Sequence, residues 1–319
     1  MTLGRQTKAV TYVDATDSAG IAVRYWLPAG ATNLVIWSHP DSQTEQITPG
    51  YWAYPLIQAF IQDGYAVIAS NLHGRSWGNA ASLTDTVNAY NYMVGKMTVS
   101  KVVMAGGSMG GLASLLTIAK ANLFAGKVKG ACLFDAVTNL ANMYDAGQYA
   151  FVIQTAYGMA SSTLAAASSS GAITLSSTVS FPASTVLTVD SGTNQETVTV
   201  SSVAGTGPYT LTLSSAATKA HASGVSIFKA SGSDASYGTA TSGNDPNLYA
   251  ASAYTDLRYR LYASSADTSV AKAGNADTFA TLVGGTATEV SVQAHPLGHL
   301  DPHGVWPADV VAFMQRCYA

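Results

Sequence analysis

Short apolar runs that alternate with segments of helical spacing constrain this chain more than any other feature. Leu34 to Trp37, Tyr65 to Ser70, Lys101 to Ala105, Gly130 to Phe134, Tyr259 to Ala263 and Glu289 to Gln293 are strand-length and rich in Val, Ile and Tyr. Runs of this kind suit strands buried on both faces of a parallel sheet. Between them, Tyr54 to Asp63, Leu83 to Val94, Met109 to Ala121, Asn139 to Tyr157 and Pro307 to Tyr318 carry apolar residues three and four apart, the period of a helix packed on one side. Strand and helix alternate, which predicts an α/β architecture with a doubly wound, mostly parallel sheet.

The alternation breaks between Ser161 and about Gly232, where Ser, Thr, Ala, Gly and Val take over with period-two patterning. Thr185 to Val189, Glu196 to Val200, Tyr209 to Leu213 and Val225 to Phe228 alternate apolar and polar residues, and turn residues such as Asp190-Ser-Gly192 and Gly205-Thr-Gly-Pro208 separate them. A low-complexity linker would have little charge too, but it would not alternate so regularly. The expected organisation is an α/β domain over 1–160 and 233–319, with a small all-β sandwich or barrel inserted over 161–232 at the position of a lid.

Composition narrows the function. Hydrophobic residues make up 48% of the 319 and charged residues only 10%, with 15 Lys and Arg against 18 Asp and Glu. There is no basic block, so the electrostatic footprint of nucleic-acid binding or of a polybasic membrane surface is missing. Val102 to Ala119 approaches membrane-span length, but Gly106, Gly107, Ser108, Gly110, Gly111 and Ser114 fit a strand, turn and helix better. Met1 to Asp14 holds Arg5 and Lys8 with no following apolar stretch, so no signal peptide is expected in it. Cys132 and Cys317 sit in no Cys-rich framework and read as free buried thiols rather than as a disulfide.

Gly106-Gly-Ser-Met-Gly110 follows one strand run and opens a helical run. A glycine-rich turn alone carries no chemistry. In this context, however, a serine lifted above the sheet edge needs neighbours without a Cβ, which marks Ser108 as a nucleophile. A base and an orienting acid should follow in the order acid, then His. Asp267 lies in the loop after the strand Tyr259 to Ala263, whereas Asp256 precedes that strand and Asp277 sits in a helical stretch. His299 lies in the loop after the last strand, within Ala294-His-Pro-Leu-Gly-His299-Leu-Asp-Pro-His303. His295, His299 and His303 are spaced by four, but Pro296, Gly298, Pro302 and Gly304 keep them off one helical face. No metal is therefore expected, and His295 and His303 are read as supporting or surface residues.

An oxyanion formed by attack of Ser108 needs N–H donors. Met109 supplies one. The other falls to the loop Ser38-His-Pro-Asp-Ser42, where Pro40 has no N–H and Asp41 is favoured over Ser42, through its backbone only and with its carboxylate turned away. Trp77 and Tyr157 are candidate substrate contacts. Trp37 suits core packing at least as well.

Together these motifs resemble the α/β-hydrolase superfamily, over roughly 20–160 and 240–319. Leu34-Val-Ile-Trp-Ser-His39 is similar to its oxyanion strand, with Pro40 in place of the usual glycine. Phe60-Ile-Gln-Asp-Gly64 and the strand after it resemble the next unit. Asn71-Leu-His-Gly74-Arg-Ser76 resembles a loop usually read Asp-x-Arg-Gly-x-Gly-x-Ser, with the acidic and second glycine positions changed. The resemblance implies a Ser108–Asp267–His299 triad, covalent catalysis without a cofactor, and a carboxylic ester as substrate, with peptide hydrolysis the alternative. Gly106 to Gly111 and Ala136 to Leu140 resemble the acetyl-esterase and prolyl-oligopeptidase-like branches. The insert, with Asp190, Glu196 and Lys219-Ala-His221, resembles small β modules of phage tail and bacterial surface proteins. It implies a virion or extracellular setting, an acylated glycan or lipid substrate, and surface contact through the module. A virion or adhesion protein built on a hydrolase scaffold is the non-enzymatic alternative, although a scaffold has no need of Ser, Asp and His at three strand ends.

Overall fold

Leu34, Val35, Ile36 and Trp37 are all buried, and they divide between two cores. Leu34 and Ile36 pack in one cluster with Ile68, Val102, Met104 and Leu115, whereas Val35 and Trp37 pack in another with Val67, Val103, Phe60 and Phe313. Period-two alternation on a strand covered by helices on both faces produces this split. Each fully buried Val, Leu or Ile contributes on the order of 1.5–3 kcal/mol relative to exposure.

The computed structural model describes residues 11–120, 124 and 126–319. The stretch 1–10 read for a leader, and Ala121 at the expected end of the third helix, lie outside the described residues. In chain order the elements are β1 (Val13–Thr16), β2 (Ala22–Trp26), β3 (Asn33–Ser38), α1 (Tyr54–Gln62), β4 (Ala66–Ser70), α2 (Ala80–Val94), β5 (Lys101–Gly107), α3 (Met109–Ala119) and β6 (Val128–Phe134). There follow α4 (Leu140–Asp145), α5 (Ala150–Ala156), β7 (Thr174–Ser177), β8 (Val186–Val189), β9 (Glu196–Ala204), β10 (Tyr209–Leu213), β11 (Ile227–Phe228) and α6 (Ala235–Ala240). The chain closes with β12 (Arg258–Ser264), α7 (Ala276–Val283), β13 (Glu289–His295) and α8 (Pro307–Tyr318).

One sheet runs β1-β2-β4-β3-β5-β6-β12-β13. It is parallel from β4 to β13, while β1 and β2 join antiparallel. Neither β1 nor β2 announces itself as an apolar run. β1 is an exposed edge, and β2 carries a buried Arg24 whose guanidinium is neutralised by both oxygens of Asp14 at 2.6 and 2.8 Å. At the other edge β13 is largely half-buried rather than buried on both faces, because only β12 flanks it. Register sets Ser38 beside Gly106, Gly107 beside Phe134, and Ser264 beside His295, so the C-terminal ends of five parallel strands are level. Cys132 and Cys317 are both buried and free, and burial pushes the Cys317 thiol up to about 12. Among the described residues, no helix is long and apolar enough to cross a membrane.

The chain divides into two compact units, one built from the part up to Asn139 with Gly243–Ala319 and the other from Leu140–Ser242. The second unit is wider than 161–232 because α4, α5 and α6 belong to it; Tyr144 packs on Phe228 and on Tyr237. The single helix expected over Asn139 to Tyr157 is two helices. Gly147 turns the chain at φ 83°, where a methyl group would lie 2.3 Å from the Asp190 carbonyl oxygen.

The five strands of this unit form one antiparallel sheet, β11-β8-β9-β10-β7. The segment 163–168 bridges Ser177 on one edge strand and Ser226 beside the other, so the sheet closes as a barrel rather than stacking as a sandwich. Leu164, Leu175, Leu187, Val198, Leu211 and Ile227 fill it. Beside this core the buried His221 sits between two carboxylates, with Nδ1 3.1 Å from Asp190 and Nε2 2.7 Å from Glu196. Both contacts are hydrogen bonds only when the ring carries two protons. Burial raises the Glu196 carboxyl, but hydrogen bonds from Thr218, His221 and the Lys219 backbone outweigh it and bring the value down to about 2. The folded pKa lies below the usual 4.5, so Glu196 stabilises the unit above the unfolded value and that contribution disappears as pH falls towards 2. Glu196→Gln is expected to lower unfolding free energy by on the order of 2–3 kcal/mol at neutral pH, and urea titrations should show the gap to wild type closing as acid is added.

Candidate active site

Ser108 takes φ 50° and ψ −124°, a backbone conformation that L-residues avoid, at the junction of β5 and α3. Strain of this kind, about 1–3 kcal/mol, persists only where the surroundings over-determine it. Here the Ser108 N–H donates to the Phe134 carbonyl at 3.0 Å, while its own carbonyl accepts from Gly111 and Val137 at 2.9 and 3.0 Å. The flanking glycines are required by packing. A methyl on Gly110 would lie 2.0 Å from the Ser38 carbonyl oxygen, and one on Gly111 2.3 Å from the Ala136 Cβ. Helix α3 thus starts hard against the end of β3, and every residue of it from Met109 to Ala119 is buried.

Asp267 follows β12. Its side chain is fully buried; one oxygen accepts the Ser269 and Val270 N–H groups at 2.7 and 2.9 Å, and the other meets His299 Nδ1 at 2.6 Å. The two backbone donors fix the carboxylate, and the carboxylate holds the ring through Nδ1. His299 follows β13 and is partly exposed. Its neighbour Leu300 reaches to within 2.9 Å of where a Gly107 Cβ would stand, which ties the His loop to the turn that carries Ser108. The alternative acids point elsewhere: Asp256 is exposed, and Asp277 pairs with Lys272 at 2.6 Å.

Asp135, which the sequence reading passed over, lies between these loops. It is buried at the end of β6 with φ 40°, and its oxygens accept the Ser264 N–H at 2.7 Å and the Leu300 N–H at 2.6 Å. It joins β6, β12 and the His299 loop. Burial raises its pKa, against the pull of those two N–H donors. The only available signal was an acid directly after an apolar strand run, Gly130 to Phe134. The three histidines separate: His303 is exposed on Asp301, and His295 is buried with Nε2 3.7 Å from Asp135. Asp135, Asp267 and His299 place ligand atoms within 4.8 Å of one another, but all four carboxylate oxygens already accept from N–H groups or the ring. These oxygens are thus engaged in holding backbone and ring.

Met109 opens α3, so its N–H has no partner within the helix. The other loop begins at His39, a fully buried ring whose nitrogens lie 2.7 Å from the Pro40 and Asn71 carbonyls. The Asp41 carboxylate is taken up by Arg75 and Trp77. Trp77, expected at the mouth as a substrate contact, is 1% exposed, with its indole N–H on Asp41. Trp37 is fully buried in the core. Tyr157 belongs to the second unit, where it ends α5 half-buried.

No protein-family model and no curated protein matches this sequence. Solved structures do. The Pyrococcus furiosus esterase Pf2001 aligns with a TM-score of 0.56 at 12% identity, over 96% of this chain and 93% of its own. Est1E from Butyrivibrio proteoclasticus gives 0.56 at 13%, over 98% and 99%. The chain has the α/β-hydrolase fold. A Pyrococcus horikoshii acylaminoacyl peptidase shares this α/β-hydrolase likeness with a TM-score of 0.58 at 10%, over 97% of this chain but 42% of the peptidase. In open α/β sheets ligands bind beyond the C-terminal ends of the strands; Ser108, Asp267 and His299 all follow such ends.

Two substitutions probe the two buried acids. In the hydrolase reading proposed below, Asp267→Asn should lower kcat by on the order of 10⁴ by favouring the wrong His299 tautomer. Asp135→Ala should leave two buried N–H groups unpaired and cost roughly 2–4 kcal/mol in urea unfolding.

Proposed function

We propose that the chain is a serine hydrolase that cleaves a carboxylic ester through an acyl-enzyme. The supporting observation is the strained Ser108 between β5 and α3 on the same sheet edge as an Asp267–His299 pair at 2.6 Å. In this reading the Ser108 Oγ attacks the ester carbonyl, and His299 takes its proton and hands it to the leaving alcohol. Water then attacks the acyl-enzyme with His299 again as base, releasing acid and free Ser108. The N–H groups of Met109 and Asp41 stabilise the oxyanion in both steps. Residues of this chain supply every group, so no cofactor is invoked.

The likeness to an acylaminoacyl peptidase keeps peptide hydrolysis as the second reading. A fluorophosphonate probe should label wild type and leave Ser108→Ala unlabelled. p-Nitrophenyl acetate and butyrate should be turned over well ahead of chromogenic peptides. Ser108→Ala and His299→Ala should each reduce kcat by about 10³–10⁶ with the fold intact by circular dichroism. Faster turnover of the peptides would move the assignment to a peptidase. An unlabelled, inactive wild type would favour the scaffold role.

The barrel carries the remaining part of the proposal: contact with a surface or a large acylated glycan or lipid, in a virion or extracellular setting. Leu164 donates to the Val225 carbonyl at 2.9 Å, so a short glycine bridge can replace 165–224 at little cost in closure entropy. That deletion should spare small acetate esters and reduce turnover of the large substrate.

A further inference from the structure

The second oxyanion donor of the proposed esterase falls on a residue that carries a carboxylate, the wrong charge to bring near a developing oxyanion. The structure shows where that charge is held. Asp41 Oδ1 accepts from Arg75 Nε at 2.9 Å and from the Trp77 indole N–H at 3.1 Å; Oδ2 accepts from Arg75 Nη2 at 2.6 Å and from the Ser42 hydroxyl at 3.2 Å. The Arg75 fork is bidentate, the geometry with which guanidinium grips a carboxylate most firmly. Trp77 also reaches the other oxyanion residue, since its backbone N–H donates to the Met109 sulfur at 3.3 Å.

The loop that supplies these groups is itself pinned. Trp77 has φ 47°, and a methyl on Gly78 would lie 2.7 Å from Leu116 and 2.9 Å from Leu112 on α3, the helix that starts after Ser108. One short segment, 75–78, therefore touches Asp41, Met109 and the nucleophile helix.

We infer that Arg75 and Trp77 are positioning residues that clamp the Asp41 carboxylate away from the oxyanion hole while its backbone N–H serves that hole. The inference rests on the serine esterase reading above. Released, the carboxylate would oppose negative charge at the substrate oxygen, an effect felt in the transition state and not in the ground state.

The test is a double-mutant cycle on p-nitrophenyl butyrate, with Ser108 labelling by a fluorophosphonate as a parallel readout. Arg75→Ala should lower kcat by about 10–100-fold with KM within about twofold, and weaken inhibition by a trifluoromethyl ketone, whose adduct carries the oxyanion, by the same factor. In an Asp41→Asn background, where no carboxylate is left to release, the same Arg75→Ala change should cost no more than about twofold. Arg75→Lys, which keeps the charge and loses the fork, should fall between. An equal loss in both backgrounds would assign Arg75 to holding the loop and overturn the clamp, as would no loss in either. A wild type that is neither labelled nor active would instead remove the esterase reading, and the clamp with it. A labelled, active wild type with equal losses removes the clamp alone.

Discussion

The structure depends most on the turn at Ser108, where a strand buried on both faces must become a buried helix within a single residue. The positive φ of Ser108 accomplishes this, and it is tolerable because three backbone hydrogen bonds hold the residue from both sides. The turn also forces α3 against the end of β3. With 2.0 Å between a Gly110 methyl position and the Ser38 carbonyl oxygen, no side chain can enter. The apolar burial of α3, several kcal/mol even at a conservative coefficient, offsets strain of about 1–3 kcal/mol at one residue. The loop that follows β3 starts from the same contact, because Ser38 and His39, which crowd Gly110, lead into it.

Charge is scarce here, and each buried charge at the sheet edge has its own donors. Asp267 is fixed by two backbone N–H groups and spends its other oxygen on His299. Asp135 spends both oxygens on the backbone of two neighbouring loops, with burial raising its pKa. Asp41 is gripped by Arg75 and Trp77. In the hydrolase proposed above, carboxylates left unpartnered at this sheet edge would oppose an anion formed there. Hydrogen-bond partners set the three apart: one holds the His299 ring, one braces two loops, and one is held by a guanidinium and an indole.

The barrel unit solves a different problem with the same economy. Its sheet has five short strands and would leave two open edges, a liability in an uncharged, Thr- and Val-rich sequence. The 163–168 segment bridges both edges. A single buried cluster of His221, Asp190 and Glu196 then joins the turn after β8, the start of β9 and the segment before β11. Paired polar groups beside so small a core favour one register, because any slip would strand them unpaired.

Much of this is legible in residue order alone. Continuous apolar runs and helical spacing located six strands of the large sheet and the helices around it, because strands covered on both faces and helices covered on one leave a direct trace in residue order. The glycine pattern around Ser108, and the acid and histidine after later strand runs, are local signals of the same kind. The two antiparallel strands escaped notice: β1 is exposed, and β2, which pairs with β1 and β4, carries a buried arginine whose charge Asp14 of β1 neutralises. The helix read over Asn139 to Tyr157 broke at Gly147 because a strand-end carbonyl from Asp190 passes too close for anything larger, a contact between residues far apart in the chain. For the same reason Asp135 and Arg75 could not be read as parts of the site. Residue order fixes which side chains exist and which face of their own element they occupy; only the assembled sheet decided that the ends of β6, β12 and β13 meet, and that Arg75 lies where it can hold Asp41.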